Sequence, residues 1–424
     1  MTELTAISSV LTPEYLSQQL SKWFNKDVKY TKHVFSKEAA KGDSYLSDLY
    51  RITFFGDLLS PTTIDSPEVS VKVIFKCFPA NIARRRTFRS ETFFRNEVNF
   101  YETVLPTLLK FQAEKKVENP FESYPRIFAV FGDGKEDFIA MEDLNFIGYG
   151  SAKRQEGIDY AHCLKIMETF SKFHAISFAF KDQHPEEYKK LAVLLPETYF
   201  GAQYKYWYID YWKLICECAV DAVEKEYPNT IYEQKIKDFA KPDAFDKLVA
   251  ATSGDCKSAV VGHGDSWTPN FLFKYKEGTN IPTDCMMLDY QLARSASPVI
   301  DLLFFIYDCA TQELIEEHYD DMLKYYYDIL SAQIREMGTD PDKVYPWEDF
   351  LEEVNKLAYF AVGFCMESIP IMTLEPEDAF DLDAITGTEP VKLEVAMPVK
   401  PIKTKSGRQR LCSVIIHAVD RGYL

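Results

Sequence analysis

The stretch VVGHGDSWTPNFLFKYKEGTNIPTDCMMLDYQLARSASPVIDLLFF, residues 260–305, decides how the chain is read. His263, Gly264, Asp265 and Asn270 form a short polar loop between apolar runs, and a further apolar run, Met286–Leu288, ends on Asp289. The pattern reads as strand, loop, strand, turn, strand, with the turn near Glu277–Asn280. Asp265 and Asn270 stand in Asp-x-x-x-x-Asn spacing. Phosphoryl-transfer sites need a carboxylate facing the acceptor hydroxyl and, a few residues on, a neutral oxygen facing Mg²⁺. Asp289 ends the hairpin that can fold it back beside Asn270, where its oxygens meet the same ion. The bland alternative makes His-Gly-Asp a turn and Asp289 a strand-end residue; the conjunction of the two features favours chemistry.

Working outward, 424 residues exceed what one core normally holds, so two lobes are expected. A hydrophobic content of 46% with 27% charged residues is that of a folded globular chain. The net charge of −17 argues against a nucleic-acid surface, which needs a dense basic patch. Nine scattered cysteines without a CxxC pair read as reduced thiols. The N-terminus shows no basic region followed by an apolar stretch, and the longest apolar run, Leu357–Met366, is too short to span a bilayer. These features predict a cytoplasmic protein with no membrane partner, acting as a monomer.

The first third carries strand signals at Ser44–Gly56, Val69–Pro79, Arg126–Gly132 and Asp137–Leu144, the last two flanking a hairpin turn at Gly132-Asp133-Gly134. Between the second and third lies a helical pattern from Ser90, a plausible N-cap. After about residue 150 the chain turns helical. Leu164, Met167, Phe170, His174 and Phe178 share one helical stripe. The aromatic stretches around Tyr199–Trp212 and Tyr319–Tyr327 read as core, some of them available to line an apolar acceptor pocket. Thr373–Gly407 reads as a long loop before a last helix near Arg408–Val419. The basic run Asn81–Arg89 reads as a solvated connection. The fold class is α+β: a small β-rich N-lobe over residues 1–143 and a larger, mainly helical C-lobe over 144–424.

In chain order, KGDSYLSDLYRI, FKCFP, FFRNEVNFYETVLP, MEDL with a following GY, SKFHA, HGDSWTPN, LDYQLARSASPVIDLLFF and RQRLCSVIIHAVDRGYL make the chain similar to the ecdysteroid-kinase-like family. These are small-molecule kinases of the aminoglycoside-phosphotransferase and choline-kinase type with a protein-kinase-like fold. The resemblance implies ATP and Mg²⁺ as cofactors, Asp265 as catalytic base, and Asn270 and Asp289 as metal ligands. It implies Lys76 on the nucleotide phosphates, held by Glu97, with Gly42 and Ser44 in the nucleotide-covering loop and Glu142 and Leu144 at the hinge. Lys72 shares the strand parity of Lys76, so alternation alone does not choose between them; Pro79 after Lys76-Cys77-Phe78 matches the family pattern and favours Lys76. Glu97 lies on the apolar stripe of Phe94, Val98 and Tyr101, where a carboxylate needs a partner. Asp301 is implied to brace the catalytic loop. His263 reads as ordering that loop, and His174 as a satisfied core or interlobe histidine.

Departures from the protein-kinase pattern point to a small acceptor. Gly264 replaces the arginine of His-Arg-Asp, Tyr290-Gln291 follows Asp289 in place of Phe-Gly, and no Ala-Pro-Glu follows. Neither a Walker loop nor a dinucleotide fingerprint is present. The resemblance implies a hydroxylated, steroid-like substrate, an ecdysteroid; a xenobiotic-detoxifying kinase and a non-catalytic binding protein on the same fold are the alternatives.

Overall fold

The computed structural model describes residues 4–36, 47–59, 67–152 and 157–424. Its N-terminal part is a five-stranded antiparallel sheet in the order β1-β2-β3-β5-β4, made of β1 (Val28–Phe35), β2 (Asp48–Leu58), β3 (Glu68–Cys77), β4 (Ile127–Phe131) and β5 (Phe138–Glu142). The sequence predicts only four of these. β1 is an edge strand whose side chains are mostly exposed, so its alternation is faint. The Gly132–Gly134 turn joins β4 to β5 as expected, with the Asp137 carboxylate accepting from the Asp133 and Gly134 N–H groups.

The two faces of the sheet differ. On one, Phe54, Val73, Phe75, Phe128 and Phe138 bury against helix α1 (Pro13–Phe24), which the strand-dominated reading of the first third overlooks. Thr12 caps α1 by accepting the Tyr15 N–H, and Pro13 opens it. Burying a phenylalanine there contributes roughly 1.5–3 kcal/mol. On the other face, Ile74, Ile139 and Met141 join the larger core.

Between β3 and β4 run α2 (Ile82–Thr87), α3 (Ser90–Asn99), a π-helical turn (Phe100–Val104) and α4 (Leu105–Lys115). The π turn precedes Pro106, whose ring and missing N–H disrupt regular α pairing. Ser90 is the first helical residue and not the N-cap; that position is Arg89, in the left-handed region at φ 53°. The basic run is also not a solvated loop. It forms α2, Arg86 donates to the Thr388 carbonyl, and the Arg89 guanidinium lies 3.2 Å from the Tyr204 ring centroid and 4.7 Å from that of Trp207. Aromatic faces draw the cation out of solvent.

The larger part follows from β6 (Gly150–Ser151). It contains α5 (Tyr160–Gln183), α6 (Pro185–Leu194), α7 (Lys205–Glu226), α8 (Ile231–Phe239) and α9 (Ala244–Ala251). Then come β7 (Val260–Gly262), β8 (Phe271–Tyr275), β9 (Pro282–Met287) and β10 (Arg294–Ala296). The chain closes with α10 (Pro298–Cys309), α11 (Gln312–Glu336), α12 (Pro341–Val344), α13 (Trp347–Met372), α14 (Leu393–Ala396) and α15 (Lys405–Asp420). On α5 the expected stripe is buried at Met167, Phe170, His174 and Phe178, and the helix packs along α11. A small sheet-rich lobe over a larger helical one is the kinase-like, two-lobed α+β arrangement expected.

The segment after α13 is less loose than its composition suggests. It folds back on the first lobe, the Val391 N–H donating to Thr87 Oγ1 at 2.9 Å, before Thr404 caps α15. Among the described residues, no helix is long and apolar enough to cross a membrane. All nine cysteines are free thiols.

Candidate active site

β7 and β10 pair antiparallel, as do β8 and β9, and between these ribbons lies the 263–270 loop. The loop is pinned from below by Asp301, at the start of α10. Asp301 Oδ2 accepts the His263 N–H at 2.6 Å, Oδ1 accepts the Gly264 N–H at 3.0 Å, and its carbonyl accepts Ser266 Oγ at 2.8 Å. Burial alone would raise the Asp301 carboxyl, but His174 first, then Arg294 and His263, hold it below the usual carboxylate range. His174 lies 3.4 Å from Asp301 Oδ2 and meets the Tyr326 hydroxyl at 2.8 Å through its other nitrogen.

His263 is a loop-ordering residue in this geometry. Its Nδ1 accepts the Asp265 N–H at 3.2 Å, which leaves Nε2–H to donate to the Leu288 carbonyl at 2.8 Å. Burial lowers its basicity, consistent with a neutral ring. Gly264 sits at φ 85°, and a Cβ there would stand 1.9 Å from the Leu292 carbonyl oxygen. The position where protein kinases carry arginine is closed by backbone.

The β8–β9 hairpin turns at Lys276–Ile281 and returns Asp289 to the loop: Leu288 N–H donates to the Asn270 carbonyl at 2.9 Å. Asn270 donates its amide N–H to the Asp265 carboxylate at 3.0 Å and to the Asp265 carbonyl at 2.8 Å, so its oxygen is the end able to meet a cation. Asp289 takes the left-handed conformation, φ 64° and ψ 70°, uncommon outside glycine. Burial foremost, and then the charge of Asp289, push the Asp265 carboxyl up to about 8, with the Asn270 hydrogen bond opposing.

Lys76 Nζ lies 2.7 Å from Glu97 Oε2 and 2.7 Å from Asp289 Oδ1. Burial would strip the lysine of its proton, but the two carboxylates hold its ammonium above the ordinary range. Glu97 is fully buried; burial drives its carboxyl up and Lys76 opposes it. Lys72 instead extends over the Phe146 ring, 3.8 Å from its centroid. Helix α3 is sewn to the Asp289 loop by Asn96, which donates to the Gln291 and Ala293 carbonyls, and by Phe100, which stacks on Tyr290 at 3.9 Å.

Mg²⁺ prefers one or two carboxylates together with phosphate oxygens and water. The donor set fits: Asp289 offers a carboxylate and Asn270 an amide oxygen, on segments tied by the Leu288 N–H to Asn270 carbonyl hydrogen bond.

Asp265 also forms part of the wall of an apolar, partly open cavity of about 120 Å³. Phe93, Tyr199, Trp207, Tyr211 and Phe364 supply aromatic walls, and Leu393 and Met397 close one side. The Tyr199–Trp212 stretch thus lines a cavity, while Tyr319, Tyr326 and Tyr327 are buried in the core away from it. The pocket's buried acid is Glu367, which sequence reasoning missed. It accepts the hydroxyls of Tyr199, at 2.5 Å, and Tyr208. A lone carboxylate inside the apolar run of α13 was the available signal.

Gly42 and Ser44 lie outside the described residues. Glu142 ends β5 half-buried, and its N–H donates to the Arg126 carbonyl at 2.9 Å. Leu144 is buried and opens a 3₁₀ turn, its carbonyl accepting the Tyr149 N–H. The structure therefore brings Lys76, Glu97, Asp289, Asn270 and Asp265 together, and sets Glu142 and Leu144 at the edge where β5 leaves the sheet.

No curated protein matches the chain. Among solved structures, a GDP complex of a mutant aminoglycoside 2′-phosphotransferase-IIIa aligns at 13% identity and TM-score 0.40, over 84% of this chain and 90% of its own. A Plasmodium vivax ethanolamine kinase aligns at 10% identity and TM-score 0.40, over 92% and 83%. Both likenesses are distant, and the assignment rests on the family model, which spans residues 41–339 and with them the 263–270 loop, Lys76, Glu97 and Asp289. The chain belongs to the ecdysteroid kinase-like family, which supports a small-molecule kinase.

Proposed function

We propose that this chain transfers the γ-phosphoryl group of ATP to a hydroxyl of a hydrophobic alcohol, with an ecdysteroid first among the acceptors. One observation carries the reading: Asp265 belongs at once to the wall of an aromatic pocket and to the neighbourhood of Asp289 and Lys76. Residues 1–143 act as the nucleotide lobe and 144–424 as the acceptor lobe, with Glu142 and Leu144 along the adenine edge and Gly42 and Ser44 over the phosphates.

Lys76 fixes the α- and β-phosphates while Glu97 keeps its ammonium charged and aimed. Asn270 and Asp289 hold Mg²⁺, which when bound supplies charge neutralisation on the phosphates. Asp265 orients the acceptor hydroxyl and takes its proton as the oxygen–phosphorus bond forms and the bond to the ADP oxygen breaks. A carboxylate made more basic by burial suits that proton. His263 stays neutral and holds the loop. Nine free cysteines support a reducing, cytosolic setting, and a monomer suffices because every named group comes from one chain.

The test is product mass after incubation with ATP, Mg²⁺ and either ecdysone or a set of plant phenols and glycosides. Asp265→Asn should cut transfer on the order of 10²- to 10⁴-fold while Mg·ATP still binds. Phosphorylation of the plant compounds alone would move the reading to xenobiotic detoxification. Nucleotide binding with no transfer to any acceptor would leave a non-catalytic binding protein.

A further inference from the structure

The acceptor pocket contains a group that the transfer chemistry does not use. Glu367 is 5% exposed and belongs to the same cavity wall as Asp265. Its carboxylate is ringed by tyrosines: Tyr199 and Tyr208 donate to separate oxygens, and Tyr211 adds a third hydroxyl. Burial, opposed by these hydroxyls, pushes the Glu367 carboxyl up to about 7. The pocket lining contains no Lys, Arg or His to balance it.

Glu367 is held in place from the catalytic side. Glu197 Oε1 accepts the Tyr199 N–H at 2.6 Å and the Phe200 N–H at 2.8 Å, while its Oε2 lies 3.3 Å from Arg294, on β10 beside β7. The strand that leads into the 263–270 loop and the tyrosine that orients Glu367 are thus tied through one ion pair. A purely structural carboxylate has no need to front a cavity, and burying it costs several kcal/mol unless its oxygens are satisfied. An ionised carboxylate accepts about four hydrogen bonds, and three tyrosines leave room for a donor from the pocket.

We propose that Glu367 selects the acceptor: the pocket takes an apolar skeleton with at least two hydroxyls, one presented to Asp265 and a second donating to Glu367. An uncharged hydroxyl completes the set of neutral donors that the three tyrosine hydroxyls begin around the carboxylate. The inference rests on the kinase reading only for the hydroxyl at Asp265.

Trp207 and Trp267 face the pocket and report binding without turnover. With the full-length protein, ecdysone and a steroid whose sole hydroxyl lies on the side chain are titrated by tryptophan fluorescence. Glu367→Gln should weaken ecdysone on the order of ten- to hundredfold, leaving the mono-ol and Mg·ATP unchanged. Glu367→Asp, which keeps the charge but withdraws it, should show the same selective loss. Equal losses for both sterols, no loss, or wild-type preference for an aliphatic amino alcohol overturns the proposal. Wild type that binds ecdysone through Glu367 yet transfers phosphate to no acceptor overturns the kinase reading and leaves this one standing.

Discussion

The nucleotide cleft and the acceptor pocket meet at Asp265 and are built on opposite principles. The cleft is a compact charge cluster, with the buried Lys76 ammonium between the carboxylates of buried Glu97 and half-buried Asp289. The pocket is a mostly aromatic wall in which, apart from Asp265 at the junction, the acid is Glu367, met by neutral tyrosine hydroxyls. In the cleft, position matters because each charge is uncompensated without its partner. In the pocket, shape dominates and a single polar group sets direction. On the proposed reading, the first arrangement would set the reaction and the second the molecule acted upon.

Three substitutions separate the two regions. Gly264→Ala strikes their junction, because a Cβ would overlap the Leu292 carbonyl at 1.9 Å and occupy a left-handed backbone. We expect more than about 4 kcal/mol of destabilisation, seen as loss of cooperative thermal unfolding together with both ligand affinities. If only one affinity falls, the two regions are not joined through the loop. Lys76→Met touches the cleft alone. It leaves Glu97 and Asp289 without their cation and should cost about 3–5 kcal/mol in urea unfolding, abolish Mg·ATP binding and spare ecdysone binding.

The smallest effect concerns the pocket and depends on pH. Glu367 binds its proton more tightly folded than unfolded, 7 against 4.5. The stability linked to that proton is fully present below about 4.5 and is lost as pH rises through about 7. Glu367→Gln removes this dependence. Its melting temperature should gain on wild type between pH 5 and pH 8, by an amount corresponding to at most about 3 kcal/mol. A constant difference across that range would mean that the tyrosines already keep Glu367 ionised.

The cleft was largely legible in the sequence because its chemistry is local. Asp265 and Asn270 are five residues apart, Asp289 closes the same hairpin, and Glu97 stands out on an apolar stripe. The lysine needed more, since Lys72 and Lys76 share a strand parity; the family pattern at Pro79 favoured Lys76, and its contacts with Glu97 and Asp289 set it apart from Lys72. The two-lobed plan was legible too, but β1 and α1 were not. β1 buries little, and α1 was hidden behind the strand-like character of its neighbours. The pocket could not be read. Its walls come from Phe93, Tyr199, Trp207, Phe364 and Met397, in segments that meet only after folding, and aromatic residues in helices ordinarily signal core. The basic run misled because charge near a turn suggests solvent, whereas Arg89 lies against the rings of Tyr204 and Trp207.

The return of the chain after α13 has a consequence for how such proteins diversify. The family model ends at residue 339, whereas Phe364, Glu367, Leu393 and Met397 all come after it. On the proposed reading, Lys76, Asp265, Asn270 and Asp289 all fall within the family match, whereas the acceptor wall is shared, Phe93, Tyr199, Trp207 and Tyr211 lying inside it and Phe364, Glu367, Leu393 and Met397 beyond it. Substitutions in the later stretch would then reshape one side of the pocket while the phosphate- and metal-binding residues stay fixed.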